Sequence, residues 1–450
     1  MHLTQGSDAA HRNPGLEDVS PSGIEAAQTR TPSKIESLVL NPHVRCYLLR
    51  FAPRQHVVWA TLLFGTLVVS APASDVAFKQ ATADSRVAMS FPADHASHAG
   101  FQTEWWYVTG NVKSETGREF GYQFTIFRRA IDARSPQERG RKSPWAIGDV
   151  YLGHLAISDI TEKKFYFEES VQRGNVGLAG ATDHSEFASA AKDLQAKVWL
   201  GTWSFTRFGD SERDAPLGWK LHAREGDIEI SLTLTETIAP IPHGRDGEEG
   251  LSRKGPQEGQ ASFYYSVAGL STTGTIKIKD AEHTIASGRS WMDHEWGSNQ
   301  LAATQAGWDW FSIQLDGGGV LMLYRLRHKD GTVEPASSGT WLSPDGKRTH
   351  LKLDEVQLKP GRTWTSPASS GQYAVEWMIE IPKLALSLKV AAAHDDQELK
   401  PKSTAGLTYY EGAIRVTGTL SGKDVKGDGY LEITGAPGQK SAGRGLGGML

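Results

Sequence analysis

From Ser74 onward, apolar side chains recur at every second position. In "EFGYQFTIF" Phe120, Tyr122, Phe124 and Ile126 share one face, and in "IEISLTL" Ile228, Ile230, Leu232 and Leu234 do. "TIKIK" alternates Ile276 and Ile278 with lysines, and "LALSLKV" sets Leu384, Leu386, Leu388 and Val390 together. "GAIRVTG" and "GYLEITG" repeat the pattern near the end. Successive side chains of a strand point to opposite faces, so the alternation predicts half-buried antiparallel strands. Turn-forming runs such as "LDGGG", "SPDGK" and "GKDVKGDG" punctuate them. Only "HSEFASAAKDLQAKV", His184 to Val198, offers a helix of any length. The expected fold class is all-β. The polar, Gly-rich stretch from His243 to Ser262 reads as a mobile loop over a barrel mouth.

Two stretches look alike: "TEWWYVTGNV…EFGYQFTIFRR" from Thr103 and "GWDWFSIQLDGGGVLMLYRLR" from Gly307. Each runs from a tryptophan pair through a turn to an apolar strand and then arginines. This suggests a duplicated β-unit, each half a small barrel opening with a Trp-bearing strand. Residues 74–300 and 301–440 are the two expected barrels, and 441–450 a flexible tail. Trp105, Trp106, Trp308 and Trp310 have two readings. They line a pocket, or they plug barrel ends with Arg128 and Arg325 over their faces.

Ahead of the first barrel stand Arg45, Arg50 and Arg54, then the apolar run "HVVWATLLFGTLVVS" and the small-residue exit "APA" before Ser74. That order is a secretory signal, about residues 44–73. The run is shorter than the ~20 residues a spanning helix needs. The protein is expected to be exported, periplasmic or secreted, with an uncleaved anchor as the alternative. Residues 1–42 are polar and aperiodic and read as disorder, with a true start nearer Val44 as one explanation. The single cysteine, Cys46, precedes the expected cleavage, so neither disulfides nor thiolate metal sites are expected in the mature chain.

Charge narrows the partners. With 48 basic against 52 acidic residues there is no cationic excess to hold phosphates, so nucleic acid is not expected. No Gly-x-Ser-x-Gly elbow, phosphate loop or dinucleotide fingerprint appears, so no cofactor is expected. The 14 tryptophans point instead to aromatic-lined corners or pockets.

The densest chemistry is "SWMDHEWGS", Ser290 to Ser298. Extended, it puts Trp291, Asp293 and Glu295 on one face and His294 and Trp296 on the other. A carboxyl pressed against apolar rings keeps its proton near neutral pH and can serve as an acid. Indole faces stabilise a cation, and an imidazole can take a proton from water. Those are the needs of adding water to a double bond. Equally, the acids can cap turns or bind arginine, and His294 can be a satisfied hydrogen bonder. In "HASHAGFQTEWW" His95 and His98 form a His-x-x-His with Glu104 nearby, but that spacing has no helical context, so no metal is expected and His98 and Glu104 are expected to line or brace the first barrel's mouth. His154, among apolar neighbours, reads as a buried strand histidine.

"HAGFQTEWWYVTGNV" with "FGYQFTIFRR", "WMDHEWGS", "GWDWFSIQLDGG", and "YYEGAIRVTG" with "GDGYLEITG" together resemble the carotenoid 1,2-hydratase (hydroxyneurosporene synthase) and AttH-like family. Its bacterial members often carry the label predicted secreted hydrolase. The likeness runs from about His95 to Gly435 and implies two lipocalin-like antiparallel β-barrels. Members of that family add water to isoprenoid double bonds, hydrate a prenylated isoflavonoid or guide ring closures, so the fold does not name the reaction. By resemblance, the catalytic His-x-Trp of the hydratases falls on His294 and Trp296. A further Tyr and Asp of the hydratases have no motif match here; Tyr324 and Asp309 are nearest. The expected catalytic set is Asp293, His294, Glu295 and Trp296. The expected substrate contacts are Trp105, Trp106, Tyr107, Trp291, Trp308, Trp310 and Tyr324. Two functions stay open. One is an exported cofactor-independent hydratase or isomerase of an apolar isoprenoid- or lipid-like molecule. The other is a non-catalytic lipid or terpenoid carrier working beside an envelope ABC-type transporter.

Overall fold

The computed structural model describes residues 76–439 apart from 87, 135–138, 141–142, 144, 190–193, 210–214 and 402–407. They fall in a unit spanning Ala71–Leu450. The proposed signal, Cys46 and the tail at 441–450 lie outside the described residues. Among the described residues no helix is long and apolar enough to cross a membrane.

Sheet one contains β1 (Thr103–Ser114), β2 (Glu119–Ala130), β3 (Asp149–Asp159), β4 (Lys164–Arg173), β5 (Ala179–Ala181), β6 (Lys197–Leu200), β7 (Trp203–Phe208), β8 (Gly218–Glu225), β9 (Ile228–Glu236), β10 (Ile241–Pro242), β11 (Leu251–Arg253), β12 (Ala261–Ile278) and β13 (Ala281–Gly297). Sheet two contains β14 (Gln305–Leu315), β15 (Val320–His328), β16 (Ser338–Leu342), β17 (Arg348–Lys352) and β18 (Gln357–Pro360). After a separate hairpin of β19 (Thr363–Thr365) and β20 (Gln372–Ala374), it continues with β21 (Glu376–Ile381), β22 (Leu386–Ala392), β23 (Glu398–Leu399), β24 (Tyr409–Leu420) and β25 (Lys423–Ile433).

Both sheets are antiparallel and share one connectivity. Hairpins run outward from the Trp-bearing strand, β1 or β14, and the last strand returns to pair its free edge: β13 on β1, β25 on β14. This is the duplication the tryptophan pairs suggested. Each sheet curls round its own apolar core. Phe120, Tyr122, Phe124 and Ile126 fill the first with Ile228, Ile230, Leu232 and Leu234; Leu386, Leu388 and Val390 fill the second. Leu384 does not join that strand. It sits in a 3-10 turn, Pro382–Leu384, and the left-handed Ala385 that follows breaks the alternation.

A third apolar cluster, including Tyr107, Tyr264, Trp291, Trp310, Tyr324 and Tyr430, lies between the sheets. Strands β1, β12 and β13 are therefore buried on both faces where they meet β14, β24 and β25. Gly121 marks a close approach: a Cβ there would sit 2.6 Å from the Cβ of Ala413 and 2.7 Å from the Tyr430 hydroxyl. The Asn111 amide donates across the seam to the Gly429 carbonyl (3.0 Å) and the Gln314 amide to that of Ala268 (2.6 Å).

Two expectations need correction. The helix α1 covers only His184–Ser189, and Val198 belongs to β6, where its side chain joins the first core. The stretch 243–262 is no mobile loop: β11 pairs with the start of β12, and His243 and Lys254 are buried. Burial of a lysine requires a partner, and Lys254 has one in Glu295 at 3.1 Å.

Candidate functional site between the two sheets

The alternation of strand β13 sorts its reactive residues. Trp291, Asp293 and Glu295 face the second sheet, while Met292, His294 and Trp296 point into the first barrel. Beside them on β1, Trp105 and Tyr107 face the seam and Trp106 the barrel. From the other side β14 offers Trp308 and Trp310, β15 Tyr324 and Leu326, β24 Tyr409 and Glu411, and β25 Glu432. These groups surround a partly open cavity. Its aromatic walls suit a small apolar molecule.

The cavity holds four carboxyl groups. Asp293 is buried among rings and accepts from the Tyr264 hydroxyl (2.7 Å), the Trp291 indole N–H (2.6 Å) and the Ser266 hydroxyl. Burial raises its pKa to about 7, against the pull of those three donors. Glu295 pairs with Lys254, whose ammonium also stands over the rings of Tyr264 (5.1 Å) and Tyr324 (4.1 Å). Burial opposes that ammonium's charge, but Glu295, with Tyr324 and Asp293, more than compensates and raises its pKa. Glu411 and Glu432 lie directly opposite each other on β24 and β25. Burial, and the charge each presents to its neighbours, push both above the ordinary carboxyl range. The Tyr107 hydroxyl donates to Glu411 at 2.8 Å. His154, also on the wall, hydrogen-bonds the Tyr409 hydroxyl at 2.6 Å; burial lowers its pKa to about 4, so it is neutral at pH 7.

The inward face of β13 carries a different network. The His294 ring meets Glu104 at 2.9 Å through Nε2 and the Tyr265 hydroxyl at 3.1 Å through Nδ1. Tyr265 in turn meets His95 at 2.7 Å. Glu104 also receives Arg128 (2.9 Å) and His98 (2.9 Å). Trp296 stacks on His98 with ring centroids 3.6 Å apart, and Trp106 stacks on His294 at 4.7 Å. His294 and Glu104 are both fully buried.

The structure thus brings seven predicted residues to the cavity wall: Trp105, Tyr107, Asp293, Glu295, Trp308, Trp310 and Tyr324. Trp291 stands directly behind Asp293. It does not bring Trp106, His294 or Trp296 there, because strand alternation turns them inward. Asp309 likewise points into the second barrel, to Arg325 (2.7 Å) and Arg327 (3.2 Å). Nor do the arginines cover the tryptophans proposed for them: Arg325 stands over Trp377 at 4.9 Å, and Arg128 is spent on Glu104 and Asp149. Sequence reasoning missed Lys254, Tyr264, Glu411 and Glu432. One signal was present: in "YYEGA" and "GYLEI" each glutamate stands two residues from a tyrosine, and a face carrying Tyr409 or Tyr430 is not a water-facing one.

Two curled, lipocalin-like sheets with an aromatic cavity and four carboxyl groups between them define a double-barrel protein. The chain belongs to the AttH-like family, whose profile matches residues 82–436. Among solved structures it is similar to a protein assigned as AttH from Nitrosomonas europaea, with 31% identity over 78% of this chain and 98% of that one, at a TM-score of 0.64. The kievitone hydratase of Nectria haematococca shares the fold, with 14% identity over 79% of this chain and 96% of that one, at a TM-score of 0.56. In sequence, the chain is 27% identical over 219 residues to the kievitone hydratase of Fusarium solani subsp. phaseoli. That match takes in 48% of this chain and 59% of the relative, so it spans about three fifths of the relative's length.

Proposed function

We propose that this chain is a cofactor-independent, hydratase-type enzyme that adds water to a carbon–carbon double bond of an apolar small molecule held between the two sheets. One observation carries the reading: Asp293 is a carboxyl group with a pKa raised to about 7, set among indole and phenol rings in a cavity wall. Such a group is half protonated at neutral pH and hands its proton to a substrate carbon rather than to bulk water. Kinship with proteins named kievitone hydratase supports the same class of reaction.

The steps balance as follows. The Asp293 proton bonds to one alkene carbon, leaving a carbocation on the other and a carboxylate behind. The faces of Trp105, Trp308 and Trp310 line the cavity where that cation forms. Water bonds to the cation, and its surplus proton passes to a cavity carboxylate. The Asp293 carboxylate left by the first step can receive it, which restores the acid for the next turnover. Lys254 keeps Glu295 in place as a fixed charge. His294 and Trp296 act here by bracing β13 from behind. The Arg-flanked apolar run before Ala71 supports export of this activity.

The test is incubation of the purified protein with prenylated phenols and terpenoid alkenes in oxygen-18 water. Labelled alcohol formed by the wild type and absent with Asp293→Asn supports the assignment. An apolar molecule that stays bound and unchanged with both proteins makes the cavity a carrier's and sinks it.

A further inference from the structure

Outside the cavity, three side chains of metal-ligand type converge near the barrel-facing side of β1 and β13. Asp94 lies in the short turn Ala93–His95, His98 just after it, and His184 opens α1. The Nε2 atoms of His98 and His184 each lie 3.1 Å from the same oxygen, Oδ1 of Asp94. We propose that Asp94, His98 and His184 bind one divalent transition-metal ion of the zinc class, through Oδ1 and the two Nε2 atoms.

Ligand spacing is the first support. Zinc-class ions hold imidazole nitrogen and carboxylate oxygen at about 2.0–2.2 Å. Two ligands at that range, subtending an angle between octahedral and tetrahedral, stand roughly 3.0–3.4 Å apart. The two observed edges of 3.1 Å fall in that interval.

The surroundings are the second support. Metal-binding histidines give their far ring N–H to a carboxylate or carbonyl, which fixes the tautomer. Here Nδ1 of His98 meets Glu104 Oε1 at 2.9 Å, and Glu104 also accepts from Arg128 and so stays a carboxylate. The His98 proton therefore sits on Nδ1. Its Nε2 faces Oδ1 of Asp94. The outer oxygen of Asp94 is occupied by the backbone N–H of Ser90, leaving Oδ1 for the ion. Trp296 stacks flat on His98 and locks its ring. Asp94 and Glu104 bring two negative charges and Arg128 one positive, so the local balance favours a cation. His184, with its side chain 38% exposed, gives a way in from solvent and room for water ligands.

An ion here would tie α1 to the segment before β1. That junction otherwise rests on two backbone bonds of 2.8 Å each, Ser97 N–H to the Thr182 carbonyl and His184 N–H to the Ser97 carbonyl. Nothing in it depends on the cavity or on Asp293.

The experiment uses the full chain after chelator treatment, titrated with zinc chloride by calorimetry and with cobalt chloride by visible absorption. The expected result is one saturable site per chain with a cobalt ligand-field spectrum. Binding is lost in His184→Ala and His184→Gln, which alter a half-exposed side chain, and retained in His222→Gln on β8. Near-UV circular dichroism confirms that the variants remain folded. Absence of saturable binding overturns the proposal, as does binding that both His184 variants retain.

Discussion

Replacing Asp293 with asparagine separates the chemistry of the cavity from its architecture. Asparagine keeps the shape and one acceptor oxygen for the Trp291 and Ser266 donors, while its amide can donate to the Tyr264 hydroxyl, which turns to accept. The proton equilibrium, however, disappears. In the folded protein Asp293 has a pKa of about 7, against a reference value of 3.8. The raised value means that stability is fully present below the reference pKa and is lost as pH rises through the folded one. At 1.36 kcal/mol per unit, the shift amounts to about 4 kcal/mol, of which about 3 kcal/mol falls between pH 5 and pH 8. Wild type should therefore weaken relative to Asp293→Asn by about that amount over this interval, while the variant makes no labelled alcohol. Urea unfolding of both proteins at pH 5, 6, 7 and 8 reads the difference directly. Asp293 also helps to raise the pKa of Glu411 and Glu432, so their slope is shallower in the variant and widens the difference. Parallel curves would refute the reasoning, for they would mean that Asp293 is ionised throughout and cannot be the acid.

Three further outcomes follow from the same geometry. Lys254→Met strands Glu295 as a buried charge, which should cost roughly 3–5 kcal/mol in urea unfolding at pH 7; a change within experimental error would mean that the ion pair is dispensable. Glu411→Gln relieves Glu432 of its facing carboxyl, so the variant should gain stability over wild type at pH 8 and little at pH 5, read from thermal midpoints at the two pH values. His294→Ala leaves Glu104 short of a donor inside the first barrel and should destabilise by about 1–3 kcal/mol; lost turnover with unchanged stability would move the chemistry to that face of β13.

Local pattern made some of this legible and distance hid the rest. Alternation is a property of one strand, so Phe120 to Ile126 and Ile228 to Leu234 could be assigned to a core from their spacing alone. The same rule separates Asp293 and Glu295 from His294 and Trp296 before any contact is known. It does not say which face meets a ligand, because both faces of β13 are buried, one by its own barrel and one by the second sheet. Motif likeness favoured the His294 face, and the cavity lies on the other. Glu411 and Glu432 were hidden for a different reason. Their position depends on β25 pairing with β14 and on both meeting β1 and β13, more than a hundred residues earlier in the chain. Lys254 was hidden by composition: the glycines and charges around it look like solvent-exposed loop, and only its pairing with Glu295 shows otherwise.

Strand β13 is a wall one residue thick between two chambers, and that imposes an unusual rule on how this stretch can change. From Trp291 to Trp296 its odd-numbered positions face the second sheet and its even-numbered ones the barrel, so a substitution at 293 or 295 can retune the cavity while leaving the bracing network behind it in place. A single-residue insertion or deletion cannot. It would exchange the occupants of the two chambers, sending carboxyls among the histidines of the barrel and an imidazole into the cavity. Between Trp291 and Trp296, then, the number of residues is a constraint of its own, separate from which residues stand there.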